Sequence, residues 1–181
     1  AAEAAGVLAL PAIPYGCSHG HTEQWPGTLS LEPATLTALI YDVSLWAVRS
    51  GIRRIIYLSG HATNGPCIGS AILKLRYEQP DVRFRTLDIW TISKRVGDFY
   101  FADAEDFHAN RGETSLLLHA APDMVRMDKV EDVEDVTPGR VFQYPMPRTT
   151  RTGAVGRPSE ATAEEGAAMM DTIVEDLAAL F

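Results

Sequence analysis

The stretch IIYLSGHATN, residues 55–64, joins a short apolar run to a glycine-containing turn and then to a helical pattern. Its first four residues are β-branched or bulky and apolar, which is typical of a buried strand. Asn64 is a residue type that caps helices, and the apolar residues after it share one helical face. A strand that leads directly into a helix indicates a parallel α/β sheet.

The same alternation of strand and helix extends along the chain. The further predicted elements are strands at 7–13 and 82–89 and helices at 33–50 and 113–120, with a last helix after 162. Pro33 suits the first turn of its helix, and Gly51 can end it. We therefore expect one α/β domain over residues 1–181, with helices on both faces of a mostly parallel sheet.

The C-terminal third of the chain combines an irregular segment with a clear helix start. Residues 123–157 have mixed charge, several prolines and no period, which predicts a long surface segment and a candidate subunit contact. Ser159 or Thr162 can begin the final helix, and Thr162 with Glu165 matches a capping box.

The first residues, AAEAAG, are strong helix formers followed by Gly6, a typical residue just past a helix end. So short a helix is not stable alone. We therefore expect the chain to begin in the last turns of a helix, with further residues upstream. A frayed tail is the alternative.

Composition excludes several classes of protein. The net charge of -8 argues against nucleic-acid binding, which requires a basic surface. No apolar run approaches the roughly 20 residues that span a bilayer. Cys17 and Cys67 are too few for a disulfide framework and suit a reducing compartment, so a cytoplasmic location is expected.

Ionisable residues follow predicted strands at two places. His61 comes directly after the strand at 55–58, and His108 and Glu113 stand where another helix begins. Open α/β sheets bind their ligands at the carboxyl ends of strands, and imidazole and carboxylate groups bind Zn or Mn. These residues suggest a metal-assisted hydrolase. The alternatives are a histidine that bonds a loop carbonyl and a carboxylate that only complements the helix dipole.

A loop at residues 14–31 is dense in functional groups. His19 and His21 are two residues apart and would face the same way on an extended stretch. They could supplement a metal site or orient a substrate, whereas a polar turn is the alternative. Cys17 lacks a convincing nucleophile setting, and Trp90 is expected in the core or a pocket wall.

Several stretches together resemble the creatininase family of metal-dependent amidohydrolases. They are IPYGCS (13–18), WPGTLSL (25–31), GIRRIIYLSGH (51–61) with Asn64, His108-Ala109 with ETS (113–115), GAVGRP (153–158) and ATAEEG (161–166). Their order and spacing match over nearly the whole chain.

The resemblance implies a three-layer α/β/α sandwich, a homohexamer and two divalent metal ions (Zn, Mn or Fe). His61 and Glu113 would be metal ligands, and His108 would transfer a proton beside the scissile amide. Substrate contacts would come from Tyr15, Ser18, His21 and Trp90.

This chain departs from the family pattern in its metal ligands and its pocket. Family members carry an earlier strand and loop with a Glu, a His and an Asp as ligands, and nothing here matches that segment. The pocket loop is one residue longer than usual. Ala104-Glu105 stands where creatinine-hydrolysing members have Trp-Asp, so creatinine is not the expected substrate.

Three functions remain in competition. The leading prediction is a hydrolase that cleaves a C–N bond in a cyclic amide, formamide or small peptide amide with a metal-activated water. The first alternative is a non-catalytic binding or assembly subunit with an incomplete metal site. The second is a thiol-dependent amidase built on Cys17, which alkylation would inactivate and chelators would not affect.

Overall fold

The computed structural model describes residues 1–21, 24–142 and 144–181, which contain six α-helices and two β-strands. In chain order these are α1 (Ala2–Ala5), α2 (Pro33–Arg49), β1 (Arg54–Ser59), α3 (Asn64–Glu78), β2 (Arg83–Asp88), α4 (Lys94–Tyr100), α5 (Arg111–Ala120) and α6 (Ala163–Ala179). The chain divides into two compact units, one of residues 11–89 and one of residues 1–10 with 90–181.

The unit of residues 11–89 contains the parallel sheet. β1 and β2 pair in parallel, with Ser59 opposite Asp88 at their carboxyl ends. α3 connects the two strands, because parallel neighbours require a crossover of this kind. α2 and α3 enclose a core that contains Leu36, Ile40 and Ala71. The predicted α/β class is confirmed.

The observed ends of α2 and α3 can be compared with the helix ends predicted from the sequence. α2 spans the predicted residues, and Gly51 follows it with φ 97°, a conformation that glycine adopts without strain. The predicted cap by Asn64 is wrong, since Thr63 is the N-cap residue of α3. Asn64 Oδ1 instead accepts the Cys17 amide at 2.9 Å. The side chain is therefore committed to a distant loop.

In the second unit, α5 packs closely against α6. A Cβ atom at Gly166 would lie 1.9 Å from the Ser115 carbonyl oxygen, so only glycine allows this approach. Thr162 caps α6 by accepting the Glu165 amide at 3.1 Å, as predicted. The reciprocal half of the capping box is absent from the described contacts. The Thr162 amide donates to Ser115 Oγ at 3.1 Å, and the Glu165 carboxylate accepts from Arg111.

The predicted strand at residues 7–13 is wrong. The described residues place no strand beside this segment, and Leu8 and Leu10 are 87% and 69% exposed. A strand exists only where a neighbour pairs with its backbone, whereas the Val7 amide bonds back to the Ala2 carbonyl. The short helix before it is confirmed, with Gly6 as a left-handed C-cap.

Two other regions complete the second unit. α4, which no pattern in the sequence predicted, is a short helix whose N-cap, Ser93, accepts the Val96 amide. Within the described part of 123–157, there are 3₁₀ turns but no α-helix or named strand, as the weak pattern predicted. Among the described residues, no helix combines the length and hydropathy that a bilayer span requires.

Candidate active site

His61 lies in a tight turn directly after β1. Ser59 closes this turn, because its Oγ donates to the His61 carbonyl at 2.9 Å and accepts the His61 amide at 3.2 Å. His61 Nε2 lies 3.2 Å from Ser18 Oγ and 2.7 Å from Thr63 Oγ1. The side chain of a predicted pocket residue, Ser18, therefore meets the predicted metal ligand within one unit.

The loop that carries Ser18 is clamped against this turn at Cys17. The Cys17 amide donates to Asn64 Oδ1 at 2.9 Å, and the Cys17 carbonyl accepts from Thr63 Oγ1. A Cβ atom at Gly16 would lie 2.5 Å from the same Asn64 oxygen, so a side chain there would displace one partner. Thr63 and Asn64, at the start of α3, therefore fix the position of the loop that carries Cys17 and Ser18.

The structure brings two of the predicted pocket residues of this unit to His61. The His21 ring is 8% exposed, and its centroid lies 5.9 Å from that of His61. Tyr15, by contrast, is 50% exposed. Thr22 and Glu23, within the predicted pocket loop, lie outside the described residues.

Asn110 organises the segment between His108 and Glu113. Its side chain is fully buried, and its Oδ1 accepts the Glu113 amide at 3.1 Å. Its Nδ2 donates to the Tyr100 carbonyl at 2.8 Å and to Asp103 Oδ1 at 2.6 Å. Three bonds to a buried amide fix the start of α5 and, with it, the position of Glu113.

The backbone between His108 and Asn110 is strained. Ala109 has φ 44°, in the left-handed region that L side chains rarely adopt. This conformation directs its amide at Glu113 Oε2, 2.6 Å away. Strained residues persist where the surroundings hold them, and they concentrate at functional sites.

Burial raises the pKa of the Glu113 carboxyl, and the hydrogen bond from the Ala109 amide opposes this effect. Burial, together with the charge of Glu113, raises the pKa of the neighbouring Tyr100 hydroxyl. A buried carboxylate is costly unless a cation or hydrogen bonds stabilise it.

His108 is held through both its backbone and its ring. Its amide donates to the Val155 carbonyl at 3.2 Å, and the Val155 amide donates back at 2.7 Å. His108 Nδ1 is hydrogen-bonded to the Gly153 carbonyl. A carbonyl oxygen only accepts, so Nδ1 carries the hydrogen in this contact. In the neutral ring, Nε2 is then the nitrogen that can accept a proton.

Trp90, the remaining predicted pocket residue, lies in an aromatic cluster beside this histidine. Its ring centroid is 5.4 Å from that of Phe107, the residue before His108, and the rings meet edge to face. The Tyr100 ring also packs against Trp90, and the two ring centroids lie 6.1 Å apart. Trp90 is half-buried.

Comparison with known proteins settles the family. The family model described as "Creatininase: Creatinine amidohydrolase" matches residues 1–181. The chain belongs to the creatininase family. The predicted family is confirmed, and its named members among the relatives are hydrolases of amide bonds.

Two curated relatives of the creatininase family have different activities. The chain is 31% identical over 194 residues to creatinine amidohydrolase of Pseudomonas putida, covering 98% of the chain and 75% of the relative. It is 30% identical over 164 residues to the mycofactocin precursor peptide peptidase of Mycolicibacterium smegmatis, covering 88% of the chain and 60% of the relative. The chain thus spans less than two thirds of the peptidase. At about 30% identity to both, it is not creatininase itself.

Solved creatininase structures share the fold of this chain. A crystal structure of creatinine amidohydrolase matches with a TM-score of 0.81 and 30% identity, covering 99% of this chain and 76% of that one. A structure described as creatininase with Mn, and a variant described as Zn-Zn type, each match with the same TM-score, identity and coverage. These structures support divalent metal use in the family.

The chemistry of the available donors fits such metals. His61, in the unit of residues 11–89, provides an imidazole, and Glu113, in the other unit, provides a carboxylate. Both donor types bind Zn, Mn and Fe. In the part of the chain that the structure describes, no three His, Cys, Asp or Glu side chains gather into a group that could hold a metal ion. The described donors therefore match the chemistry without completing a centre.

Several residues that position these candidate groups were not predicted from the sequence. Asn110 stands three residues before Glu113, which is the spacing of a helix N-cap with its capping-box glutamate, so the pattern could have identified it. Thr63 carried no comparable signal. The role of Asp103, which accepts from Asn110 and from the Arg157 amide, depends on residues far along the chain.

Proposed function

We propose that this protein is a metal-dependent hydrolase that cleaves a C–N amide bond in a small cyclic amide, formamide or small peptide amide. The observation that carries the proposal is the Asn110 cap, which positions Glu113 in the first turn of α5, five residues after His108. The family relatives support the class of reaction, since one acts on creatinine and another on a precursor peptide by name.

Each ionisable residue has a distinct role in the proposal. His61 and Glu113 would hold divalent metal, because they are the imidazole and carboxylate donors of the two motifs. Bound divalent ions supply water activation and carbonyl polarisation. The raised pKa of Glu113 supports its assignment, since a cation restores the carboxylate that burial disfavours.

His108 would transfer the proton to the leaving nitrogen. Its Nδ1 is engaged by the Gly153 carbonyl, so the opposite ring nitrogen, Nε2, would exchange protons with the substrate. A histidine suits this step because its pKa lies near neutral pH. The left-handed Ala109 beside it presents only a methyl group, which leaves room for a substrate.

Four residues are proposed to contact the substrate. Ser18 and His21 are the strongest candidates in their loop, because both reach His61. Trp90 would provide an aromatic wall, since its ring packs against Phe107, the residue before His108. Tyr15 exposes half of its surface, so it remains available to a ligand.

Metal analysis combined with an activity screen tests the proposal. The purified chain is reconstituted separately with Zn, Mn and Fe, and metal per chain is measured before and after chelation. Creatinine, N-formyl amino acids and short peptides are then offered as substrates. Bound metal and chelator-sensitive hydrolysis of one class are expected. A chain that binds none of these ions would favour a binding or assembly subunit, and alkylation-sensitive activity would favour a Cys17 thiol mechanism.

The remaining predictions concern assembly and location. A homohexamer and a cytoplasmic location stay predictions from the sequence. Sedimentation analysis of the purified protein would test the first, and a mass of six chains is the expected result.

A further inference from the structure

Thr150 is a buried polar residue that lies outside the creatininase-family motifs. Its side chain is only 5% exposed. Its Oγ1 accepts the Gly153 amide at 3.2 Å and the Thr152 amide at 3.3 Å, and lies 3.4 Å from Thr152 Oγ1. The hydroxyl therefore forms the centre of a turn over residues 150–153. Such hydroxyl-to-amide bonds are a common way to nucleate a turn.

The turn and the residues directly after it form hydrogen bonds with His108 at two places. The Gly153 carbonyl accepts from His108 Nδ1, and Val155, two residues later, pairs with the His108 backbone in both directions. Gly153 has φ 90°, which an L side chain rarely adopts. The direction of its carbonyl thus depends on the turn conformation, which the Thr150 hydroxyl stabilises.

The chemical consequence is a choice of tautomer. A neutral imidazole has its hydrogen on one nitrogen, and the partner of the other nitrogen decides which form is present. The Gly153 carbonyl has no hydrogen to give, so it stabilises the form with hydrogen on Nδ1. If this carbonyl turned away, His108 would lose the bond that distinguishes its two nitrogens.

We propose that Thr150 is a positioning residue for His108. Its hydroxyl holds the Gly153 carbonyl where it selects the Nδ1–H tautomer and directs Nε2 to proton transfer. The catalytic consequence rests on the proposed function of His108, whereas the tautomer itself does not. Thr150 acts only through the Gly153 turn and has no assigned contact with the substrate.

Three variants separate this role from a general structural one. Thr150→Val removes the hydroxyl with little change in shape, and Thr150→Ser restores a hydroxyl. Thr149→Val is the matched control, because Thr149 Oγ1 donates to the Met146 carbonyl at 3.0 Å and belongs to a different local contact. Circular dichroism and urea unfolding verify that each variant is folded.

The tautomer is read directly by ¹⁵N NMR of histidine-labelled protein at about pH 8.5, where an ordinary histidine is neutral. The His108 signals are assigned by their loss in His108→Gln. The wild type, Thr150→Ser and Thr149→Val are expected to carry hydrogen on Nδ1, and Thr150→Val to show a mixture of tautomers. With an active substrate, Thr150→Val should lower kcat at least about tenfold with little change in KM, and Thr150→Ser should recover most of it.

Two results would overturn the inference. One is a wild-type His108 with hydrogen on Nε2, which decides the matter even if Thr150→Val does not fold. The other is a folded Thr150→Val with the wild-type tautomer. Because the NMR reading uses no substrate, a failure to hydrolyse any amide would contradict the proposed function without altering this test.

Discussion

The Asn110 side chain accepts the Glu113 amide at 3.1 Å and so caps the helix that carries this proposed metal ligand. The same side chain donates to the Tyr100 carbonyl and to Asp103. One buried amide thereby joins the end of α4, the loop after it and the start of α5. The stability of this region and the geometry of the site depend on the same residue.

Asn110→Ala should lower the free energy of unfolding by about 2–4 kcal/mol, from the lost cap and the partners left unsatisfied. Asn110→Ser keeps a capping oxygen and should cost less. Urea denaturation at neutral pH measures both. A loss below about 0.5 kcal/mol for the alanine variant would contradict the role of the buried amide.

Gly166→Ala should destabilise the protein even though alanine favours helices. The new Cβ would lie 1.9 Å from the Ser115 carbonyl oxygen, so α5 and α6 would have to separate. We expect a loss of about 1–3 kcal/mol. The control is Gly69→Ala in α3, where nothing lies within 4 Å. That variant should be stabilised by up to about 1 kcal/mol, so thermal unfolding of the pair should shift in opposite directions.

His108→Ala should reduce turnover by about 10²–10⁴-fold and leave metal content unchanged, because its proposed role is proton transfer. His61→Ala and Glu113→Gln should lose metal first. His119→Ala is the control, since this histidine is exposed near the end of α5. Elemental analysis and steady-state rates on the substrate found in the screen separate these effects. Metal loss in His108→Ala would contradict the proton-transfer assignment.

Glu165→Gln should lower stability at pH 7 by about 1–2 kcal/mol. The hydrogen bond from Arg111 holds the pKa of the Glu165 carboxyl below its usual value of 4.5. A depressed pKa in the folded state stabilises the protein above the unfolded pKa, and this contribution is lost as pH falls below it.

The difference between wild type and Glu165→Gln should therefore shrink between about pH 5 and pH 3. Glu164→Gln makes the same change in charge at an exposed position of the same helical turn. That control should differ from wild type by less than about 0.5 kcal/mol at pH 7. Urea unfolding at pH 7 and across the range from about pH 5 to pH 3 provides the measurement. A constant difference across this range would show that the Arg111 contact contributes nothing through charge.

Local patterns in the sequence determined the β1–α3–β2 unit and most helix ends. The apolar period of residues 55–75 specifies strand and then helix, since each pattern buries one face. Gly6, Pro33 and Thr162 act on neighbouring backbone groups, so their roles could be predicted within a few residues. The same patterns located His61 directly after β1 and Glu113 in the first turn of α5. The strand expected before α5 is wrong, because α4 and a loop precede this helix in the described residues.

Only the tertiary structure determined which distant residues form hydrogen bonds with the side chains of the site. The bond from His108 to Gly153 spans 45 residues, and the bond from Asn64 to Cys17 spans 47. A side chain that can cap a local helix can also bond a distant loop, and local propensity does not distinguish the two. Residues 7–13 follow the same rule, because an apolar segment becomes a strand only when another backbone pairs with it.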